Sequence, residues 1–307
     1  MEDLWEAGEV EPAQAEALRR TRASSEDGMA WKLLGVCRAR GADVDGALTA
    51  LKAAQRLRPG DAEVERSLGR VAWHANEPET ALAAYCRAAD LAPTWGEALT
   101  ELVQVCARMG RRELSAQYLE KAVSNQPENL SFLYSCGVVN KEREAYDAAI
   151  AQFQRIVQLD PDYTLAYNEM GLCEYSRGHN EAAEGYFEQA NAADPAHATP
   201  YYNHGILLLD NNRYSEAAAK FGNAVACKPD HIDAQFGLIR TYERMSAIED
   251  GEAALEAAKA VNGAHTKLEA VAARLALRRG NIDQAGAGYV PGDAVPGRRD
   301  PGPAQGL

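Results

Sequence analysis

The chain has 307 residues, 46% of them hydrophobic and 25% charged, and carries a formal net charge of -13. Such a composition supports a buried core, while the acidic balance argues against general affinity for nucleic acid or anionic membranes, which needs a basic surface. No stretch approaches the roughly 18 apolar residues of a membrane-spanning helix, and the acidic start MEDLWEAGEVE lacks the features of a secretory signal. A cytoplasmic protein without membrane insertion is expected.

Residues 1–27 read as a half-repeat that caps the N-terminal end of a repeat array. Gly8 stands where a turn is expected, and Glu11–Arg22 reads as a second helix with Pro12 in its first turn. From Gly28 the chain is periodic. Pro59, Pro93, Pro127, Pro161, Pro195 and Pro229 stand 34 residues apart, and a fixed period in this range marks stacked repeats. Seven units cover 28–265, each reading as two amphipathic helices closed by the proline. Proline cannot donate the helical hydrogen bond and restricts the residue before it.

Within the units small and large residues alternate in register. The eighth residue is Gly35, Gly69, Gly137, Gly171 or Gly205 in five of the seven units. Glycine costs ~1 kcal/mol against alanine inside a helix, so its recurrence predicts that another backbone passes too close for a side chain. The twentieth residue is Ala47, Ala81, Ala149, Ala183 or Ala217, and the twenty-fourth is Leu51, Tyr85, Leu119, Phe153, Phe187, Phe221 or Leu255. The unit from Gly96 departs, with Val103 for the glycine and Ser115 for the alanine, and its packing is expected to be spread. The unit from Ile232 has Ile239 and Gly251 at those places and Gly263 near the missing proline.

A partial repeat over 266–285 keeps a first helix, Thr266–Arg279, and opens a second with GNIDQA at 280–285. Residues 286–307 contain six glycines and four prolines and read as a disordered tail. The apolar stripe left uncapped before it points to truncation, a changed reading frame or a partner that covers the end.

The six cysteines include no C-x-x-C pair and read as buried free thiols, without a zinc site. Of the six histidines, His179, His197 and His231 fall in turns and read as solvated. No P-loop, G-x-S-x-G or H-E-x-x-H is present, and no predicted strand could carry a G-x-G-x-x-G, so neither catalysis nor a cofactor or metal is expected.

The order aromatic or Leu, Leu-Gly, Ala, Phe or Tyr, Ala and Pro resembles the tetratricopeptide repeat, with AYNEMGLCEYSRGHNEAAEGYFEQANAADP (166–195) as its best copy. The resemblance covers 28–265. It implies an all-α, right-handed superhelical solenoid of antiparallel helix hairpins, serving as a non-catalytic scaffold for protein interaction. It also implies a concave groove lined by the first helix of each repeat, through its second, fifth, sixth, ninth, twelfth and thirteenth residues. Those positions hold Lys32, Arg66, Arg70, His74 and Arg108 in the early units, partly offset by Glu63, Glu97 and Glu101. The middle units supply Tyr134, Asn168, Tyr175, Tyr202 and Asn203, and the late ones Arg240 and Arg244 against Asp233 and Glu243. The expected partner is an acidic peptide or helix of another protein, with apolar anchors.

The carboxylate clamp of some members is not matched, because Val36, Ser67, Glu97 and Glu101 follow Lys32 at its places. Nor is an asparagine ladder, since Asn168 lies one position off the register of Asn203. Similar arrays also precede glycosyltransferase or sulfotransferase domains, so a substrate-recruiting N-terminal portion of a larger enzyme is the alternative.

Overall fold

The computed structural model describes residues 10–263 and 265–279, and every regular element among them is an α-helix. The sequence readings at Gly8 and over residues 280–307 lie outside the described residues. The chain divides after Pro161 into two compact units.

The first unit holds α1 (Val10–Ala23), α2 (Gly28–Arg40), α3 (Val44–Leu57), α4 (Ala62–His74), α5 (Pro78–Leu91), α6 (Gly96–Arg108), α7 (Arg112–Asn125), α8 (Leu130–Glu142) and α9 (Tyr146–Leu159). The second holds α10 (Thr164–Arg177), α11 (Asn180–Ala193), α12 (Ala198–Asp210), α13 (Tyr214–Cys227), α14 (Ile232–Met245), α15 (Ile248–Asn262) and α16 (Thr266–Arg278). Even numbers are first helices of repeats and odd numbers second helices. α1 keeps the register of a second helix and buries Ala13 and Ala17 against Leu33, Leu34 and Cys37.

Local chemistry sets the helix ends. Asp27, Asp61 and Asn129 accept hydrogen bonds from backbone N–H groups of the first turns of α2, α4 and α8, satisfying donors that a helix leaves open. Each second helix stops two residues before its proline. The residue between leaves the helix, as Asp194 does at ψ 95°, while still donating its N–H to Ala190. Without that proline α15 runs 15 residues instead of the 14 of α13, and ends at Gly263 with φ 62°.

The turn between the two helices of a repeat contains a feature the sequence reading did not find. Ala42, Asn76, Gly110, Glu144, Gly178, Asn212 and Ser246, each 34 residues from the next, all have left-handed backbones with φ between 59° and 81°. Glycine fills only two of these seven places. Their common conformation comes from the hairpin, which must reverse direction in two or three residues, and not from residue preference.

The helix glycines have a different cause from the one expected. A Cβ on Gly69, Gly137, Gly171 or Gly205 would meet the ring of Tyr85, Phe153, Phe187 or Phe221, from the second helix of the same repeat, at 2.6–3.0 Å. At these four a side chain, not a passing backbone, occupies the space; at Gly35 a Cβ would meet both the Leu51 side chain, at 2.6 Å, and the Leu51 backbone nitrogen, at 3.2 Å. Where the eighth residue is larger, the twenty-fourth is leucine: Val103 with Leu119, and the buried Ile239 with the buried Leu255. Phe221 is closed in on two sides, because a Cβ on Gly237 would also meet its ring, at 2.7 Å.

Hairpins are tightly packed with one exception: α6 and α7 approach each other least of all the pairs, as the Val103 and Ser115 departures led us to expect. First helices also meet the next first helix, α2 with α4 in the first unit and α10 with α12, α12 with α14 and α14 with α16 in the second. Successive second helices scarcely touch or do not touch. The first helices therefore occupy the shorter, inner arc within each unit. α6 stands off from its first-helix neighbours as well.

Candidate functional site

On the inner face of the first unit, Arg66 of α4 spans two carboxylates of α6. Its Nη2 lies 2.7 Å from Glu101 Oε1 and its Nη1 2.8 Å from Glu97 Oε2. Its guanidinium also sits 4.9 Å above the Trp95 ring. The hydrogen bonds that Arg66 donates to Glu101 hold its pKa above the usual value. Lys32 of α2 is engaged in the same way, by Glu63 of α4 and by Asp61 at 3.9 Å.

One and two turns beyond Arg66, Arg70 and His74 are exposed and form no ion pair among the described residues. Arg108 is exposed as well, its guanidinium 5.5 Å over the ring of Trp73. Tyr134 of α8 is half-buried, edge-on to Phe153 at 5.8 Å.

In the second unit Asn203 donates to the buried Asn168 at 2.8 Å, and the Tyr175 hydroxyl donates to Asp210. Lys267 pairs with Asp233 at 2.5 Å, and Arg274 with Glu243 at 3.2 Å. Arg278 donates to the Glu243 carbonyl at 2.5 Å. Tyr202 packs between Phe221 and His231, at 5.9 and 5.1 Å, and burial raises its phenol pKa. Arg240 and the exposed Arg244 form no ion pair among the described residues.

The pairs follow one rule. Lys32–Glu63 and Arg274–Glu243 are 31 residues apart, and Arg66–Glu101 and Asn168–Asn203 are 35. These offsets bracket the repeat by one helical turn, so each side chain meets the same face of the next first helix.

The tetratricopeptide repeat model matches at residues 2–62, 40–94, 101–164, 141–198, 168–232 and 202–265, well over half of the chain. The chain belongs to the tetratricopeptide repeat family. Among curated proteins, it is 26% identical over 167 residues to Protein FlbA of Caulobacter vibrioides, over 54% of this chain and 28% of that protein. Among solved structures, it is similar to the C-terminal part of a TPR repeat-containing protein from Cytophaga hutchinsonii, with a TM-score of 0.60, 16% identity, and 77% of this chain and 97% of that one covered. A tetratricopeptide repeat protein from Parabacteroides merdae gives 0.52, 16%, 73% and 89%. Both likenesses are of fold.

As a tetratricopeptide repeat protein the chain is a scaffold for protein interaction. Its groove cations fall into two groups that the sequence reading did not separate. Lys32 and Arg66 are taken up by the acids of the following repeat, whereas Arg70, His74, Arg108, Arg240 and Arg244 are not. Tyr134 and Tyr202 pack on second-helix rings of their own repeats and so join the two helices of each hairpin.

The turn histidines are not simply solvated: His179 lies 2.7 Å from Glu174, and His231 accepts from the Ala234 N–H as a helix cap. Cys37, Cys106, Cys136 and Cys173 are buried free thiols, and burial pushes Cys106 and Cys136 up to about 11. No three His, Cys, Asp or Glu side chains among the described residues converge as metal ligands, and no helix among them is long and apolar enough to cross a membrane.

Proposed function

We propose that the inner face of the first unit binds an acidic segment of a partner polypeptide, held by Arg70, His74 and Arg108. The support for this reading is the contrast on one surface between Arg66, whose donors are occupied by Glu97 and Glu101, and Arg70 one turn away, exposed and unpaired. An arginine with no internal ion pair has none to break when a partner binds, and it steers an acidic one. In the second unit Arg240 and Arg244, also without an ion pair among the described residues, offer the same chemistry.

A photo-crosslinking residue at Arg70 or Arg108, compared with one at exposed Gln117 on a second helix, tests the face used. The captured polypeptide is then titrated against the wild type and an Arg70→Glu, Arg108→Glu variant. Crosslinks from Gln117 alone, or unchanged affinity in the variant, overturn the reading.

A second reading rests on the match to FlbA, of whose length the chain spans 28%. The repeats then serve as a recruiting module within a longer protein that carries a catalytic domain. The mass of the native protein, measured from its source, decides this: a product no longer than 307 residues removes it.

A further inference from the structure

α6 leaves an opening where it stands off from α7 and α8. A cleft of about 190 Å³ lies there, walled by Val103 and Ala107 of α6 and by Tyr134, Val138 and Val139 of α8, with Ser115 of α7 in its lining and Arg112, Ser135 and Glu142 completing it. Ser115 is 2% exposed, and its Oγ finds no hydrogen-bond partner among the described residues. Five other repeats have alanine at this place, namely Ala47, Ala81, Ala149, Ala183 and Ala217. Fold alone thus does not ask for a hydroxyl here, and a buried unpaired one is unfavourable.

We propose that this cleft takes the side chain of a tyrosine from a partner polypeptide, its ring among Val103, Tyr134 and Val138 and its hydroxyl on Ser115 Oγ. The inference deepens the reading that the inner face binds a polypeptide, and rests on it. Among the polar groups of the lining, Ser115 is the one with a buried oxygen left without a partner, and largely apolar walls around it suit an apolar body with a polar tip; a phenol can both donate to and accept from serine. An aliphatic anchor would leave Ser115 unpaired. The cleft continues past Val103 and Ser135 into a wider trough of about 630 Å³ lined by Thr100, Gln104 and Ser131. Those polar side chains suit the backbone on either side of the anchor.

The test uses the full chain and three probes: toluene, p-cresol and the tripeptide acetyl-Ala-Tyr-Ala-amide. Binding is read from the methyl NMR signals of Val103 and Val138. The expected result is that p-cresol shifts both signals and binds about 3- to 10-fold tighter than toluene, the effect of one hydrogen bond. Ser115→Ala, the residue other repeats carry, levels the two. The tripeptide binds tighter than p-cresol, and Gln104→Ala removes that gain.

The proposal is overturned by unmoved Val103 and Val138 signals, by a p-cresol preference that survives Ser115→Ala, or by a tripeptide no better than p-cresol. Any of these, with partner binding still dependent on Arg70 and Arg108, defeats the tyrosine pocket alone. Intact probe binding with partner crosslinks from Gln117 alone defeats the wider reading instead.

Discussion

A Cβ placed on Gly171 would lie 2.6 Å from Cε1 of Phe187, a residue with no solvent exposure. The pair accounts for a glycine in mid-helix, where its absence of a side chain is otherwise a cost. It also accounts for the lack of a ring where the eighth residue is larger, since Val103 and Ile239 share their repeats with Leu119 and Leu255; Gly35 stands against a leucine too, Leu51. Gly171→Ala should therefore destabilise. Against a helix-propensity gain of ~1 kcal/mol, overpacking of ~1–3 kcal/mol leaves a net loss of up to about 2 kcal/mol in urea unfolding. Adding Phe187→Leu should recover part of that loss, and strict additivity of the two changes would refute the coupling.

The left-handed turn residues give a prediction of opposite sign. Glu144 has φ 62° and Gly178, its counterpart one repeat on, has φ 81°. A side chain in this conformation costs ~1–2 kcal/mol, so Glu144→Gly should stabilise the first unit by about 1 kcal/mol, less a small entropic loss from the unfolded chain. Gly178→Ala should destabilise the second by a similar amount. Urea midpoints should move without a change of slope.

His204 is fully buried, stacked on Phe187 at 5.9 Å, with neither ring nitrogen hydrogen-bonded among the described residues. Burial, aided by Lys220 of α13 and Arg213, pulls its pKa down to about 4 against the opposing pull of Glu184 of α11, 3.6 Å away. Glu184 is itself held by Arg213, which also binds Glu216. Above pH 6.5 the imidazole is neutral in both folded and unfolded chains and contributes no pH dependence. As pH falls from 6.5 towards 4 the unfolded chain takes up a proton that the folded one refuses, so up to ~3 kcal/mol of stability is lost across that window. His204→Leu should flatten this part of the curve, measured as unfolding free energy at pH 7.5 and pH 5. An unchanged slope would show that the imidazole charges freely in the folded chain.

Two arginines one turn apart should behave differently. Arg66→Ala removes a bidentate pair to Glu101, whose side chain is 24% exposed, and should cost about 1 kcal/mol of stability, less at high salt. Its effect on partner affinity should be small beside that of Arg70→Ala. Conversely, Arg70→Ala should leave the urea midpoint within ~0.5 kcal/mol of the wild type while weakening the complex. Equal effects on both measurements would mean that the pairing seen at Arg66 does not divide the two roles.

The repeat period, the helix pairs, the proline stops and the small-to-large alternation were legible because each is a local property, repeated often enough to exceed chance. The spread third hairpin was legible for the same reason, as Val103 and Ser115 break a register kept elsewhere. Register alone put the candidate groove residues on the first helices. Their availability was not, because Arg66 and Arg70 are the same residue type on the same face and differ only in the acids that the next first helix brings opposite.

Sequence alone thus determined the family pattern and the order of the elements, since hydrogen bonding, capping and proline geometry act within a few residues. Tertiary structure decided the rest: that Lys32 and Arg66 are occupied by acids 31 and 35 residues on, that a side chain of the second helix fills the space beside the eighth-residue glycines, a ring at four of the five, that seven turn residues of five types share a left-handed backbone, and that the unpaired Ser115 hydroxyl lies at a cleft beside α6. Each depends on the angle and distance at which helices pack, and those follow from the sum of many contacts between residues that are far apart in the chain.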